Sequence, residues 1–310
     1  MDDRVSEVSF SSADGIHTVV GTLWRPVGEP RGVVQIAHGM VDHVNRYAGL
    51  AEALCARGFA VGGVSHLGHG KSAGETDDLG FFAARDGIDY VLTDMHRMTE
   101  YLKGEFPGLP VAVLGHSMGS FITRLYVERY AGDISACVIH GTGGPNPALP
   151  AGKALAALIR LFRGPRFRSE FLKNLTFAGY NSRFPKEEGA EAWLTRDAKA
   201  REAYRADPLC SFTFTVAAYQ DLFRLVGKSN AAAWFRQYPK DLPTLVIAGD
   251  MDPVGAYGKG PTYVYNKLKA AGVTSVDLKL FPGARHELFN ETCRDEVFAA
   301  IGDWMEGALL

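Results

Sequence analysis

The feature that most constrains this chain is the pentapeptide Gly115-His116-Ser117-Met118-Gly119. Apolar residues fill positions 111–114 before it, and residues 121–130 follow it with the apolar spacing of an amphipathic helix. A strand, a sharp turn and a helix with Gly-x-Ser-x-Gly at the turn expose the serine hydroxyl at the carboxyl edge of a sheet. The N-terminus of the helix adds a field that favours negative charge there. The pattern therefore predicts Ser117 as a nucleophile.

Strand-like and helix-like segments alternate over most of the chain. An opening antiparallel hairpin is predicted from residues 5–10 and 17–24, with a turn through residues 12–15. Further strands are predicted at 32–37, 59–64, 111–114, 136–140, 243–249 and 275–281, and helices at 46–57, 87–103, 121–130, 263–271 and 296–305. Strands that alternate with helices of this length predict an α/β fold with a mostly parallel sheet flanked by helices.

The alternation stops between Gly141 and about Lys240. Residues 142–147 form an exit loop rich in glycine and proline, and the segment after it has helical patterns, many arginines and aromatics, and no strand alternation. We therefore predict a helical cap over residues 142–240, inserted into a core formed by residues 1–141 and 241–310.

Composition excludes several classes of protein. The 310 residues are 46% hydrophobic with a formal net charge of -2, which is ordinary for a globular protein and gives no argument for nucleic-acid binding. Four of the first seven residues are charged and these seven contain no apolar run, which does not fit a signal peptide, and no apolar run reaches the length of a membrane span. The four cysteines are isolated, which is typical of free thiols in a reducing compartment, so we expect a cytoplasmic protein.

The glycine-rich loop after residue 64 offers two rival sites, and neither fits. Gly70-Lys71-Ser72 resembles the end of a phosphate-binding loop, but the first required glycine is replaced by Ser65. Residues 68–73 match a loose dinucleotide fingerprint, but the segment after them does not open a helix. No carboxylate or cysteine stands at ligand spacing beside the histidines His38, His43, His66 and His69. We therefore expect neither a cofactor nor a metal.

A nucleophilic serine needs a base, and the base needs an acid that orients it. At an elbow of this kind the acid and then the base follow the serine along the chain. His286 is the only histidine after His140, so we predict it as the base. Asp250 and Asp252 both follow the strand at 243–249, and either could be the acid. We favour Asp252 and interpret Asp250 as a turn former.

An acyl-transfer site also needs two N–H donors for the oxyanion. One donor comes from the residue after the nucleophile, which is Met118. The other comes from the loop after an early strand, where His38-Gly39 precede Met40. We predict the Met40 and Met118 amides as the oxyanion hole.

These segments resemble the monoacylglycerol lipase and lysophospholipase group of the α/β-hydrolase superfamily. The matches are His38-Gly39-Met40 with Arg46-Tyr47, Gly68-His69-Gly70-x-Ser72, the pentapeptide around Ser117, Asp252-Pro253-Val254-Gly255 and Gly283-x-x-His286-Glu287. In the cap, residues 180–184, 193–197 and 207–210 resemble a bacterial branch. Ser65 departs from the pattern, because relatives usually carry aspartate there, and this affects the bonding of the loop.

The resemblance implies an α/β-hydrolase fold with Ser117 as nucleophile, Asp252 as acid and His286 as base. It also implies that the Met40 and Met118 amides bind the oxyanion. The reaction expected from this group is hydrolysis of a single-chain acyl ester, of the monoacylglycerol or lysophospholipid type, through an acyl-enzyme. One alternative is another hydrolase with a serine nucleophile, namely a thioesterase or an aminopeptidase. A second alternative is a non-catalytic binding protein on the same fold.

The first helical pattern of the cap bears on the substrate. Its apolar residues fall on one arc and its basic residues, Lys153, Arg160 and Arg163, on the other. The arc comprises Ala154, Leu155, Leu158, Ile159, Leu161 and Phe162. We predict that Leu155, Leu158, Ile159 and Phe162 roof a pocket for a lipid-like acyl chain. The basic segment continues through Arg166, Arg168 and Lys173, and a peripheral contact with an anionic membrane is a further expectation.

Overall fold

A computed structural model describes residues 4–310 and contains one eight-stranded sheet. The strands are β1 (Val5–Ser11), β2 (Thr18–Trp24), β3 (Gly32–Ala37), β4 (Phe59–Val64), β5 (Val111–His116), β6 (Ala136–His140), β7 (Thr244–Gly249) and β8 (Val276–Phe281). Their order across the sheet is β1-β2-β4-β3-β5-β6-β7-β8. The pairs β1–β2 and β2–β4 are antiparallel, and every other neighbouring pair is parallel.

Helices follow the strands along the chain. They are α1 (Ala48–Cys55), α2 (Gly87–Glu105), α3 (Met118–Tyr130), α4 (Leu149–Arg163), α5 (Glu170–Thr176), α6 (Ala198–Ala206), α7 (Val216–Ser229), α8 (Ala232–Gln237), α9 (Lys259–Ala270) and α10 (Arg294–Leu309). The predicted α/β class, with a mostly parallel sheet flanked by helices, is confirmed.

Four helix starts differ from the sequence prediction, and two of them shift by two or three residues: α3 begins at Met118 rather than residue 121, and α10 at Arg294 rather than residue 296. The helix expected at 46–57 is a short 3-10 turn, Val44–Tyr47, followed by α1. Helix α9 begins at Lys259 rather than residue 263, and Pro261 lies in its first turn. Proline is tolerated there because the first N–H groups of a helix have no intrahelical partner. Apolar spacing does not show such a turn, since its residues precede the repeating pattern.

The five central strands, β3 to β7, are buried along their whole length. Strands that are covered on both faces are apolar at every position, which explains the continuous apolar runs in the sequence. Helices α1 and α10 cover one face of the sheet through Leu50, Leu54, Val297 and Ile301. Helices α2, α3 and α9 cover the other face. Because strands β3 to β8 run parallel, their carboxyl ends lie at one edge of the sheet.

The chain between β6 and β7 contains helices α4 to α8 and, in the part that the structure describes, no strand. Helix α7 packs against both α3 and α4. Because α3 begins directly after Ser117, this arrangement joins the inserted helices to the nucleophile segment. Within residues 4–310, no helix is both long enough and apolar enough to cross a bilayer.

Candidate active site

Ser117 lies at the sharp turn between β5 and α3, with a φ of 53° and a ψ of -118°. A positive φ is uncommon for residues other than glycine, and strain of this kind concentrates at functional sites. The flanking glycines make the turn sterically possible. A Cβ at Gly119 would lie 2.0 Å from the Ala37 carbonyl oxygen, and one at Gly115 would lie 2.3 Å from the Gly119 carbonyl oxygen. The elbow therefore presses against β3, and the Ser117 side chain is half-buried at the strand edge.

His286 and Asp252 form a buried hydrogen-bonded pair. The His286 Nδ1 atom lies 2.9 Å from Asp252 Oδ2, and the two side chains are 2% and 0% exposed. The other Asp252 oxygen accepts from the Val254 N–H at 2.8 Å, which fixes the carboxylate plane. The Asp250 carboxylate accepts a hydrogen bond from the Gly283 N–H at 2.7 Å. Asp250 thus links the turn after β7 to the turn after β8.

The loops that carry Ser117 and His286, the predicted nucleophile and base, meet at the end of β6. The Ser117 N–H donates to the His140 carbonyl oxygen at 3.0 Å. A Cβ at the next residue, Gly141, would lie 3.3 Å from the His286 ring. The His116 ring, adjacent to Ser117 in the chain, has its centre 4.8 Å from that of His286. These contacts bring Ser117, His286 and Asp252 into one cluster at the carboxyl edge of the sheet.

Met40 and Met118 lie on the two segments that border Ser117. A Cβ at Gly39 would lie 3.4 Å from the Ser117 Cβ, so the loop after β3 passes directly beside the nucleophile. Met118 is the first residue of α3. Within residues 4–310, we find no hydrogen bond from the Met40 or Met118 N–H to the protein. Two adjacent donors without protein acceptors are what a developing oxyanion needs.

The buried Asp42 carboxylate fixes the conformation of the loop after β3 through several hydrogen bonds. Its carboxylate accepts hydrogen bonds from the Gly39 N–H at 3.2 Å, the His43 N–H at 2.8 Å and the Tyr47 hydroxyl at 2.7 Å. It also pairs with Arg46 at 2.9 Å. Burial would raise the pKa of Asp42, but the Arg46 cation and these hydrogen bonds outweigh it and lower that pKa.

The inserted helical segment also contacts His286, the predicted base. The centre of the Trp193 ring lies 5.0 Å from that of His286, and the Tyr180 ring lies 5.1 Å from Trp193. The His286 backbone N–H donates to the Trp193 carbonyl oxygen at 3.4 Å. Burial raises the pKa of Tyr180, and the nearby Asp252 charge adds to the effect. Trp193 therefore packs against the His286 imidazole, with Tyr180 behind Trp193.

Sequence reasoning assigned no role to Trp193 or Tyr180. The signal was present in the segments 180–184 and 193–197, which match the bacterial branch, but no residue spacing shows that aromatic side chains there reach His286. That contact joins residues 93 positions apart, so only the folded chain reveals it.

Two buried histidines lie behind the site. The Nδ1 atoms of His116 and His140 are 2.9 Å apart, and the His140 Nε2 atom has no hydrogen-bond partner in the described part of the chain. Burial lowers the pKa of His116, and the neighbouring His140 lowers it further. Burial likewise lowers the pKa of His140. Both rings are therefore neutral at physiological pH and place no positive charge behind Ser117.

The apolar arc of α4 divides between two environments. Leu155 and Ile159 are half-buried and pack against the large core cluster that includes α7. Leu158 and Phe162 are 55% and 75% exposed. The four residues predicted to roof a pocket thus do not share one environment, because the arc is wider than the strip that α7 covers.

One group of metal-ligating side chains occurs within residues 4–310. The His43, Asp207 and Cys210 ligand atoms lie within 4.8 Å of one another. The His43 Nε2 atom and the Asp207 carboxylate already share a hydrogen bond at 2.8 Å. Burial raises the pKa of the Cys210 thiol although the Arg46 cation opposes that shift. A neutral thiol beside a fixed cation is a poor metal ligand, so this group gives no support for a metal.

Comparison with protein families decides the relationship of this chain. The family model Hydrolase_4, with the description serine aminopeptidase S33, matches residues 28–293. The chain belongs to this family. The match covers most of the sheet, all the inserted helices and every predicted site residue.

Individual relatives of this chain include monoacylglycerol lipases and a carboxyl esterase. The chain is 32% identical to the monoacylglycerol lipase of Mycolicibacterium smegmatis over 311 residues, which covers 97% of this chain and 96% of the relative. It is 27% identical to the monoglyceride lipase of Homo sapiens over 289 residues, with 91% and 84% covered. The crystal structure of a thermostable carboxyl esterase from Bacillus coagulans matches with a TM-score of 0.93 at 28% identity, with 99% of each chain covered. The predicted resemblance to the monoacylglycerol lipase group and the class of carboxylic ester hydrolase are confirmed.

Proposed function

We propose that this hydrolase cleaves single-chain acyl esters through an acyl-enzyme formed on Ser117. The observation that carries the proposal is the buried pair of His286 and Asp252, with a 2.9 Å hydrogen bond, in one cluster with a strained serine elbow. A binding protein has no need of such a pair beside a serine hydroxyl.

In the first half of the reaction, His286 Nε2 takes the Ser117 proton as Oγ attacks the ester carbonyl carbon. The carbonyl oxygen becomes an oxyanion, and the Met40 and Met118 N–H groups donate to it. When the C–O bond of the ester breaks, the imidazolium gives its proton to the leaving alkoxide. The alcohol departs, and the acyl group remains on Ser117. Asp252 holds the imidazole orientation and stabilises the imidazolium.

In the second half, water replaces the alcohol. His286 takes a proton from the water while the water oxygen attacks the acyl carbon. The Met40 and Met118 N–H groups bind the second oxyanion. Collapse breaks the bond to Ser117 Oγ, which receives the proton from the imidazolium. The products are the free carboxylic acid and the regenerated serine.

We further propose that residues 142–240 act as a cap that shapes the substrate site. Trp193 and Tyr180 bring its aromatic rings over the base. The names of the relatives favour a monoacylglycerol, and a lysophospholipid presents the same single acyl ester. Leu155, Leu158, Ile159 and Phe162 remain our proposal for the acyl contact.

The outer surface of α4 supports peripheral contact with a membrane. Leu158, Leu161 and Phe162 are 55%, 77% and 75% exposed, and Phe171 nearby in sequence is 65% exposed. Arg163, which is also exposed, lies over the Phe167 ring at 4.1 Å. Exposed apolar side chains flanked by arginines are typical of a surface that rests on anionic lipid.

The cysteines support a reducing compartment. Cys55, Cys137, Cys210 and Cys293 are all unbridged, and the first three are buried. Burial raises the pKa of Cys55 to about 11, which keeps that thiol protonated and unreactive. A cytoplasmic location is our proposal from this usage.

The test of the function is a substrate panel with the purified protein. It comprises monoacylglycerols and lysophospholipids of several chain lengths, a matching acyl thioester and an aminoacyl anilide. The last substrate represents the activity in the family description, serine aminopeptidase. We expect kcat/KM to be highest for a monoacylglycerol or a lysophospholipid. Preference for the anilide or the thioester would overturn the proposal in favour of the corresponding alternative.

A further inference from the structure

A short segment of the inserted helices grips the loop that carries the Met40 amide. The Tyr204 hydroxyl, at the end of α6, donates to the Val41 carbonyl oxygen at 3.1 Å. Asp207, three residues later, shares a hydrogen bond with the His43 ring at 2.8 Å. The two contacts hold the residues on either side of Asp42, Val41 and His43, and they join residues 163 and 164 positions apart.

The gripped loop is conformationally strained. Val41 has a φ of 53°, a conformation that β-branched residues rarely adopt. A backbone of this kind persists only where its surroundings over-determine it. Inside the core, Asp42 holds the Gly39 N–H at 3.2 Å. On the opposite side of Val41, the holding contact comes from Tyr204.

Tyr204 is itself fixed in place. The Arg46 guanidinium lies over its ring at 4.7 Å from the centre, and Arg46 is bound to Asp42 and Glu287. Burial raises the pKa of Tyr204 well above its ordinary value, so its hydroxyl is a hydrogen-bond donor at all physiological pH values. The donor geometry toward the Val41 carbonyl therefore does not depend on ionisation.

We propose that Tyr204 is a positioning residue for the oxyanion hole, and that Asp207 assists it. By fixing the Val41 carbonyl, Tyr204 holds the neighbouring Met40 N–H toward the place where negative charge develops beside Ser117. The inserted helices then contribute to the chemical step as well as to substrate binding. This inference rests on the proposed hydrolysis through Ser117.

The test removes only the hydroxyl. Tyr204→Phe keeps the ring under Arg46, and we expect kcat for p-nitrophenyl acetate to fall about tenfold with KM unchanged, as expected for a misaligned oxyanion donor. Acetate lacks the methylenes that we propose to contact α4, so contact with a long acyl chain does not enter. Tyr219→Phe is the matched control, because the Tyr219 hydroxyl on α7 is buried without a hydrogen-bond partner in the described part of the chain. That variant should retain the wild-type kcat.

Three results would overturn the inference. One is an unchanged kcat in Tyr204→Phe, even if the melting temperature falls, because the hydroxyl would then be merely structural. Another is a raised KM for long esters alone, which would make Tyr204 a pocket residue. The third is an equal loss in Tyr219→Phe. Should Tyr204→Phe fail to fold, Asp207→Asn must lower kcat in the same way. A wild type without esterase activity would refute the proposed function itself, which is a separate outcome.

Discussion

Arg46 and Glu287 form a bidentate ion pair, with N–O distances of 3.0 and 2.7 Å, that joins the loop after β3 to the loop after β8. Glu287 follows His286, which we propose as the base, and Arg46 also binds Asp42 in the loop proposed to supply the Met40 amide. Burial disfavours the Arg46 cation, but Glu287 and Asp42 outweigh this and raise its pKa. The guanidinium thus ties the loop that precedes α1 to the loop that carries His286, the proposed base.

The first prediction concerns this pair. Arg46→Met leaves two buried carboxylates without their cation, and breaking such a pair costs about 3 kcal/mol or more of stability. We expect that loss in the free energy of unfolding in urea. Arg31→Met is the control, because Arg31 and Glu306 form a pair with side chains 50% and 39% exposed. An exposed pair is worth at most about 1 kcal/mol, so equal losses in both variants would contradict the assigned role of Arg46.

The second prediction concerns pH and two buried histidines near Ser65. Burial lowers the pKa of His66 from 6.5 to about 3 and that of His69 from 6.5 to about 4. Between about pH 6.5 and 4 the unfolded chain therefore binds protons that the folded chain does not, and stability falls as the pH falls. From pH 7 to 5.5 these two groups should remove about 2 kcal/mol from the free energy of unfolding.

The control for the pH prediction is His69→Gln, measured by urea unfolding at the same two pH values. Because one of the two titrating groups is gone, the difference between pH 7 and 5.5 should shrink by about 1 kcal/mol. A difference identical to that of the wild type would show that His69 is protonated inside the folded protein.

The third prediction concerns α4. Leu158 is 55% exposed, so Leu158→Asp should leave the fold intact. If the acyl chain rests on this face, losing contact with four methylenes would cost about 3 kcal/mol, or roughly a hundredfold in kcat/KM for long esters. Acetate esters lack those methylenes and should be hydrolysed as before.

Two other outcomes of the Leu158→Asp experiment are informative. Equal loss on acetate and on long esters would mean that the residue supports the fold. No loss on either would exclude Leu158 from the acyl pocket, and weaker binding of the variant to anionic vesicles would then assign it to membrane contact.

Much of the architecture followed from local pattern. The strands β3 to β7 were predictable because burial on both faces makes every position apolar. The elbow was predictable because Gly115 and Gly119 stand where no Cβ fits. Both properties leave a mark within a few residues of sequence, a continuous apolar run in one case and the Gly-x-Ser-x-Gly spacing in the other, so they can be read from the sequence directly.

Other features depend on contacts that no local pattern encodes. Asp250 and Asp252 lie two residues apart in one turn, and only tertiary geometry shows which carboxylate faces His286. The Arg46–Glu287 pair spans 241 positions, and each residue alone is an ordinary surface type. The apolar arc of α4 showed amphipathicity but not how much of it α7 would cover.

The fourth prediction separates the two aspartates. Asp252→Asn should lower kcat by orders of magnitude, because the amide cannot stabilise the imidazolium and favours the wrong His286 tautomer. Asp250→Asn should keep nearly full activity, since its side-chain oxygen can still accept from the Gly283 N–H. Steady-state kinetics on one ester decides the ranking. The reverse order would mean that Asp252 is not the acid that orients His286.

The most direct test of the account is intact-protein mass spectrometry after rapid acid quench of the enzyme with a p-nitrophenyl decanoate ester. We predict that a fraction of the wild type gains the mass of one decanoyl group, that the adduct maps to the peptide containing Ser117, and that Ser117→Ala shows neither adduct nor turnover. Robust hydrolysis by Ser117→Ala, or an acyl group attached at another residue, would contradict catalysis through Ser117.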